Sequence, residues 1–119
     1  MNSSVLVVDD EKNLLVLLDR VLSKEGYQVK TAIDAYEALE CFDQTDIAVA
    51  LLDIRMHPID GIALLVEIKK RSPSTHVLMM TAFLTTEIQE RCMKYGATNY
   101  FTKPLEMRKL KIALRGLLV

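Results

Sequence analysis

Four charged side chains and one hydroxyl stand where short strand-like runs of this sequence end. Asp9 and Asp10 follow the run 5–8, Asp53 follows 47–52, Thr81 follows 77–80, and Lys103 follows 99–102. Singly, each has an ordinary use. Asp10 would serve as a helix N-cap with Glu11 at the positive helix end, Asp53 as a turn residue, Thr81 as a hydroxyl opening a helix, and Lys103 as a solvated lysine before Pro104. As a set they could do chemistry. Two carboxylates about 4 Å apart repel by roughly 4 kcal/mol at an effective dielectric near 20, so three gathered together call for a cation. Oxygen ligands without His or Cys favour Mg²⁺, or Mn²⁺, over zinc. Phosphate oxygens commonly complete such a site, which makes phosphoryl transfer the expected reaction. A carboxylate can be the nucleophile, forming an acyl phosphate while the metal and a lysine neutralise the developing charge. A hydroxyl such as that of Thr81 can then hydrogen-bond a phosphoryl oxygen.

That chemistry requires the five residues to converge, so the elements that carry them matter. Residues 5–8 are a fully apolar run, predicted as the first strand. Over 11–24, Leu14, Leu15, Leu17, Leu18, Val21 and Leu22 recur at helical spacing before Gly26. The pattern then repeats. Strand 28–32 precedes helix 35–42 with Ala38, Leu39 and Phe42 inward; strand 47–52, apolar throughout as a doubly covered strand must be, precedes helix 62–71. Strand 77–80 precedes helix 85–95 with Ile88, Cys92 and Met93 on its apolar side, and strand 99–102 precedes helix 105–118, with Leu110, Ala113, Leu114 and Leu117 on one face. Five strand–helix units predict an α/β, doubly wound (βα)5 three-layer sandwich with right-handed crossovers. If the parallel sheet runs 2-1-3-4-5, strands one and three are neighbours. The acids then meet at the switch point, where ligands of open α/β sheets bind.

Composition sets limits on the function. At 119 residues and 13.5 kDa, half of it hydrophobic, the chain fits one globular domain and is not disordered. A formal charge of -1 gives no general attraction to nucleic acid or anionic membranes. Cys41 and Cys92 form no metal-binding or disulfide pattern and are expected to be reduced and mostly buried. No apolar run approaches the roughly 18 residues of a membrane span, and no secretory signal begins the chain. A cytoplasmic location is expected.

With these elements in place, the sequence resembles a receiver domain of bacterial two-component response regulators. The likeness runs the whole length: the acidic pair after strand one, Leu51-Leu52-Asp53 followed by Met56 and Asp60-Gly61, Met80-Thr81-Ala82, Gly96-Ala97, and Tyr100-Phe101-Thr102-Lys103-Pro104. It implies a flavodoxin-like fold and a switch that a partner histidine kinase phosphorylates on Asp53. Asp10 and Asp53 would be direct Mg²⁺ ligands, Asp9 a ligand through water, and the backbone carbonyl of Arg55 another. Lys103 would pair with the phosphoryl group, Thr81 would shift toward it, and Tyr100 would turn inward. This couples the site to the fourth helix, fifth strand and fifth helix, a surface for an effector or a homodimer. Ala82 leaves space for a phosphodonor, and the Arg55 side chain would tune rates.

One departure stands out: Met56-His57-Pro58 occupies the loop where Met-Pro-Gly is common, so another turn type is expected, with His57 in solvent and His76 at a strand end. Rival readings are a haloacid-dehalogenase-type Mg²⁺-dependent phosphatase, an FMN-binding flavodoxin-like protein, and an interaction module that is never phosphorylated. The phosphatase would want Asp-x-Asp and a late acidic pair, and acids stand where an FMN phosphate cradle would be. Residues 1–119 read as a single receiver domain. The apolar ending at Leu117-Leu118-Val119 suggests the N-terminal part of a longer regulator controlling transcription, with no direct nucleic-acid or membrane contact by this domain.

Overall fold

The computed structural model describes residues 2–118; Met1 and Val119, the ends of the expected 1–119 domain, lie outside them. The elements are β1 (Ser4–Val8), α1 (Lys12–Lys24), β2 (Gln28–Ala32), α2 (Ala35–Gln44), β3 (Val49–Asp53), α3 (Gly61–Arg71), β4 (His76–Thr81), α4 (Thr86–Lys94), β5 (Asn99–Thr102) and α5 (Met107–Leu117). All strand pairings are parallel, and the order is β2-β1-β3-β4-β5. The doubly wound architecture and the strand order are those expected.

Alternation along the strands divides the core into two layers. Val5, Val7, Val49, Leu51, Leu78 and Met80 face α1 and α5, packing against Leu15, Leu18, Leu22, Leu110 and Leu114. Leu6, Val8, Ala50, Leu52, Val77 and Met79 face α2, α3 and α4, against Ala38, Leu64, Leu65, Ile68 and Cys92. Each buried Leu or Ile contributes roughly 1.5–3 kcal/mol. The sheet between these layers is therefore rigid, and it fixes where its strand ends lie.

Several boundaries differ from the sequence expectation in ways that bear on the site. β3 begins later than residue 47 and includes Asp53; β4 runs from His76 through Thr81. Asp53 and Thr81 are thus strand residues held by the sheet, not members of the loops beyond it. Asp10 is not the N-cap of α1: Glu11 occupies that position, and the Asp9 Oδ1 accepts from the Glu11 N–H at 2.9 Å. Asp10 stands free and exposed as a result. Asp60 and Thr85 do cap their helices, accepting from the N–H groups of Ala63 and Ile88 at 2.8 and 3.1 Å. Met93, expected on the inner side of α4, is half exposed, as is Leu17 on α1. Only Cys92 of α4 is fully buried. After α1 and α4 the chain turns at Gly26 and Gly96, with φ of 95° and 99°, a region L side chains rarely adopt.

Cys41 and Cys92 are free thiols, and burial raises both pKa values, which leaves them poorly reactive. His57 is exposed in the loop after β3, and His76 opens β4 half-buried. The His57–Pro58 and Lys103–Pro104 peptide bonds are cis. No helix among the described residues is long and apolar enough to cross a membrane.

Candidate functional site

The adjacency of β1 and β3 brings Asp9 and Asp53 together, because Val8 lies opposite Leu52 in the parallel register. Each of Asp9, Asp10 and Asp53 offers a carboxylate oxygen, and these oxygens lie within 4.8 Å of one another. Asp9 is fully buried and Asp53 is 5% exposed, whereas Asp10 opens to solvent. The three acids form a funnel with one wet rim.

Lys103 answers them from the end of β5. Its backbone N–H donates to the Thr81 carbonyl at 2.9 Å, which fixes the loop. Its Nζ reaches the Asp9 Oδ2 at 2.6 Å and the Asp53 Oδ2 at 3.5 Å. One lysine thus serves two buried carboxylates, and it sits closer to Asp9. Burial raises the Asp53 pKa, and the Asp9 charge raises it further; Lys103 and the Arg55 N–H, 3.4 Å from Oδ1, oppose this without cancelling it. For Lys103, burial pulls the pKa down, but the hydrogen bond to Asp9 and the charges of both acids outweigh it, so the net shift is upward. The cluster remains short of positive charge. All its donors are hard oxygens, so the residues present fit a divalent cation of the Mg²⁺ type.

Thr81 ends β4, buried, and its Oγ1 accepts from the Phe83 N–H at 3.1 Å. That leaves the hydroxyl hydrogen to donate. Tyr100 lies farther back on β5, half-buried against the α2–α4 side of the core, its hydroxyl 3.3 Å from the Gln89 Oε1 of α4. The structure therefore gathers Asp9, Asp10, Asp53 and Lys103 directly, with Thr81 on the adjoining strand end and Tyr100 between the strand and α4.

The loop from β3 to α3 is held by Gly61. Its N–H donates to the Ile54 carbonyl at 2.8 Å, and a Cβ placed there would overlap the Asp53 carbonyl and lie 2.8 Å from the Ile54 Cα. Here the requirement is space, set by backbone that cannot swing aside. Gly61→Ala is expected to lower stability by about 1–3 kcal/mol, the usual range for overpacking, in denaturant titration. Gly116→Ala in α5, where nothing lies within 4 Å, should be neutral or stabilising by up to about 1 kcal/mol. In the sequence Gly61 shows only as part of a turn motif; a glycine in the first turn of a helix, directly after its Asp cap, is the available signal. Nothing in the sequence pattern marks Phe83. An aromatic residue, 59% exposed, sits two positions beyond Thr81, and the Arg55 guanidinium lies 4.5 Å from its ring centroid.

A groove of about 440 Å³ adjoins the site between the start of α1 and the loop after β5, lined by Leu14, Leu17, Ala82, Pro104, Leu105 and Met107 among others. A wider cleft of about 520 Å³ lies near Asn2, Asp46, Ser72 and His76, away from the acids.

A doubly wound parallel sheet with three acids and one lysine gathered at its strand ends defines an α/β class. Within it, residues 5–115 match the response regulator receiver domain, and the chain belongs to that family. It is 39% identical over 110 residues to the transcriptional regulatory protein ZraR of Klebsiella oxytoca, which covers 92% of this chain and 25% of that protein. To the sporulation initiation phosphotransferase F of Bacillus subtilis it is 30% identical over 115 residues, covering 97% and 93%. The solution structure of the beryllofluoride-activated NtrC4 receiver domain dimer superposes with a TM-score of 0.91 at 29% identity, over 97% of this chain and 95% of that one. The chain spans about a quarter of the length of ZraR. Membership makes it a signalling module, and the phosphatase and stand-alone interaction-module readings are not favoured.

Proposed function

We propose that this domain is a switch operated by phosphorylation of Asp53. The observation that carries the reading is the cluster itself: three carboxylates within 4.8 Å, answered by one lysine, at the end of a rigid sheet. A partner histidine kinase is the donor. An Asp53 carboxylate oxygen attacks the phosphorus of the phosphohistidine, the P–O bond forms, the P–N bond breaks, and the imidazole nitrogen leaves with the electron pair. The carboxylates of Asp10 and Asp53, the Arg55 carbonyl and, through water, Asp9 are the groups that would hold Mg²⁺ or Mn²⁺. The cation supplies charge neutralisation at the transferred oxygens. Lys103 is already within 3.5 Å of Asp53 and can follow the new anion while keeping Asp9 in reach. The apolar groove beside Ala82 suits a helical partner presenting its histidine to Asp53.

The phosphoryl group adds about -1.5 to -2 charge and three acceptor oxygens. Thr81 donates its free hydroxyl hydrogen to one of them and draws the β4–α4 loop inward. Space opens beneath that loop, and Tyr100 exchanges Gln89 for the interior. The face of α4, β5 and α5 changes with it, which supplies a surface for an effector or for a second copy; the beryllofluoride-activated NtrC4 receiver domain is itself a dimer. ZraR's description as a transcriptional regulator favours control of transcription as the output. A net charge of -1 assigns nucleic-acid binding to another part of such a regulator. Residues 1–119 are then one receiver domain, the N-terminal part of a longer cytoplasmic regulator.

Thr81→Ala separates uptake of the group from the response to it. The variant is expected to accept the phosphoryl group yet leave the amide resonances of Gln89 and Tyr100 near their unmodified positions. Wild-type-sized shifts in the variant would contradict the coupling.

A further inference from the structure

Arg55 follows Asp53 by two residues, its N–H 3.4 Å from the Asp53 Oδ1, and its guanidinium lies over the Phe83 ring, 4.5 Å from the centroid. Phe83 in turn follows Thr81 by two residues and donates its N–H to Thr81 Oγ1. The stack therefore joins the loop after the acceptor to the loop after the switch hydroxyl. Both side chains belong to exposed residues. Among the described residues the Arg55 side chain has no ion pair or hydrogen bond, so its five donors are uncommitted and only the ring holds it. A cation–π contact at an exposed position is weak. Charge-assisted hydrogen bonds from a guanidinium to a phosphoryl group are much stronger, and the planar fork matches two of its oxygens.

We propose that Arg55 has two alternative partners: the Phe83 ring in the unmodified protein and the phosphoryl oxygens once Asp53 is modified. The inference rests on Asp53 being the acceptor. Arg55 is then a positioning residue for the phosphoryl group, and Phe83 is its competitor. When Arg55 leaves, the ring is uncovered on the β4–α4 loop, so the exchange reshapes that surface alongside the Thr81 movement. A fixed roof over the site would work in the opposite direction, since the ring would then help hold the anion in place.

The two arrangements differ in sign, and a double-mutant cycle on the affinity for beryllofluoride with Mg²⁺, a stand-in for the phosphoryl group on a carboxylate, separates them. Both positions are exposed, so the variants should fold as the wild type does. Arg55→Ala is expected to weaken binding about tenfold or more. Phe83→Ala is expected to tighten it about two- to fivefold, because the competing partner is gone. In the Arg55→Ala background, Phe83→Ala should then change nothing. Unchanged or weaker binding by Phe83→Ala alone, or an equal effect of that substitution in both backgrounds, would overturn the exchange while leaving Asp53 as acceptor. Asp53→Asn supplies the separate check: if it binds the probe as well as the wild type does, the acceptor assignment itself fails, and the exchange with it.

Discussion

Lys103→Met should lower the stability of the metal-free protein by about 3–5 kcal/mol near neutral pH, the usual consequence of removing one partner from a buried ion pair. The size follows from burial: the Asp9 side chain is inaccessible, that of Lys103 only 19% exposed, and they meet at 2.6 Å. Asp9 keeps its bond from the Glu11 N–H, but its other oxygen loses its cation, and Asp53 loses the same counter-charge. Total stabilities are about 5–15 kcal/mol, so the change is large enough to read by thermal or urea unfolding. The pH dependence is distinctive. In the wild type the Lys103 pKa is raised, so its contribution is complete below the ordinary lysine value and is lost as pH rises through the folded one. Asp53 works the other way. Its pKa is also raised, so its ionisation costs stability, and that cost appears as pH climbs through and above the usual carboxylate range. Without Lys103 the cost grows. The two proteins should therefore approach one another in stability on acidification and diverge toward neutrality, and Mg²⁺ should recover part of the difference.

Asp53→Asn should abolish phosphoryl uptake and, in metal-free buffer, raise the unfolding midpoint. Asparagine keeps the shape and removes a buried charge that Asp9 repels and Lys103 only partly offsets. A gain of about 1–2 kcal/mol is expected, in keeping with carboxylate repulsion of a few kcal/mol partly screened by the lysine. Mg²⁺ should narrow or reverse the difference. A ligand at 100 times its dissociation constant stabilises by about 2.7 kcal/mol, and the variant, short of one ligand oxygen, gains less at any given concentration. A metal-free variant less stable than the wild type would show that Asp53 is a structural acid, with its charge satisfied by the fold.

Much of this site was legible before its geometry. Apolar runs that end in Asp9, Asp53 and Thr81, and the short run 99–102 before Lys103, name the strand ends, and a parallel sheet must put those ends on one edge. The distribution within the edge was not legible. That Lys103 lies closer to Asp9 than to Asp53 depends on side-chain reach across strands that are not neighbours. That Asp10 stands free follows from the Asp9 side chain taking the Glu11 N–H, a local choice that favourable capping chemistry at either residue could not decide. Gly61 was visible as a turn residue, but only the packing of α3 against the end of β3 shows why a methyl group does not fit. The Arg55–Phe83 stack joins loops 28 positions apart by a contact between exposed side chains, and no periodicity marks such a pair. Hydrophobic patterning locates elements; the reach of individual side chains between loops leaves no comparable trace.

The central claim is that Asp53 carries the phosphoryl group. Intact-protein mass spectrometry after incubation with Mg²⁺ and a small acyl phosphate tests it most directly, with wild type and Asp53→Asn run side by side. The wild type should gain the mass of one phosphoryl group, lose it on removal of the donor or treatment with alkali, and gain none when the cation is chelated; the variant should gain none. A wild type that stays at its unmodified mass, or an adduct that persists in Asp53→Asn, would contradict the account.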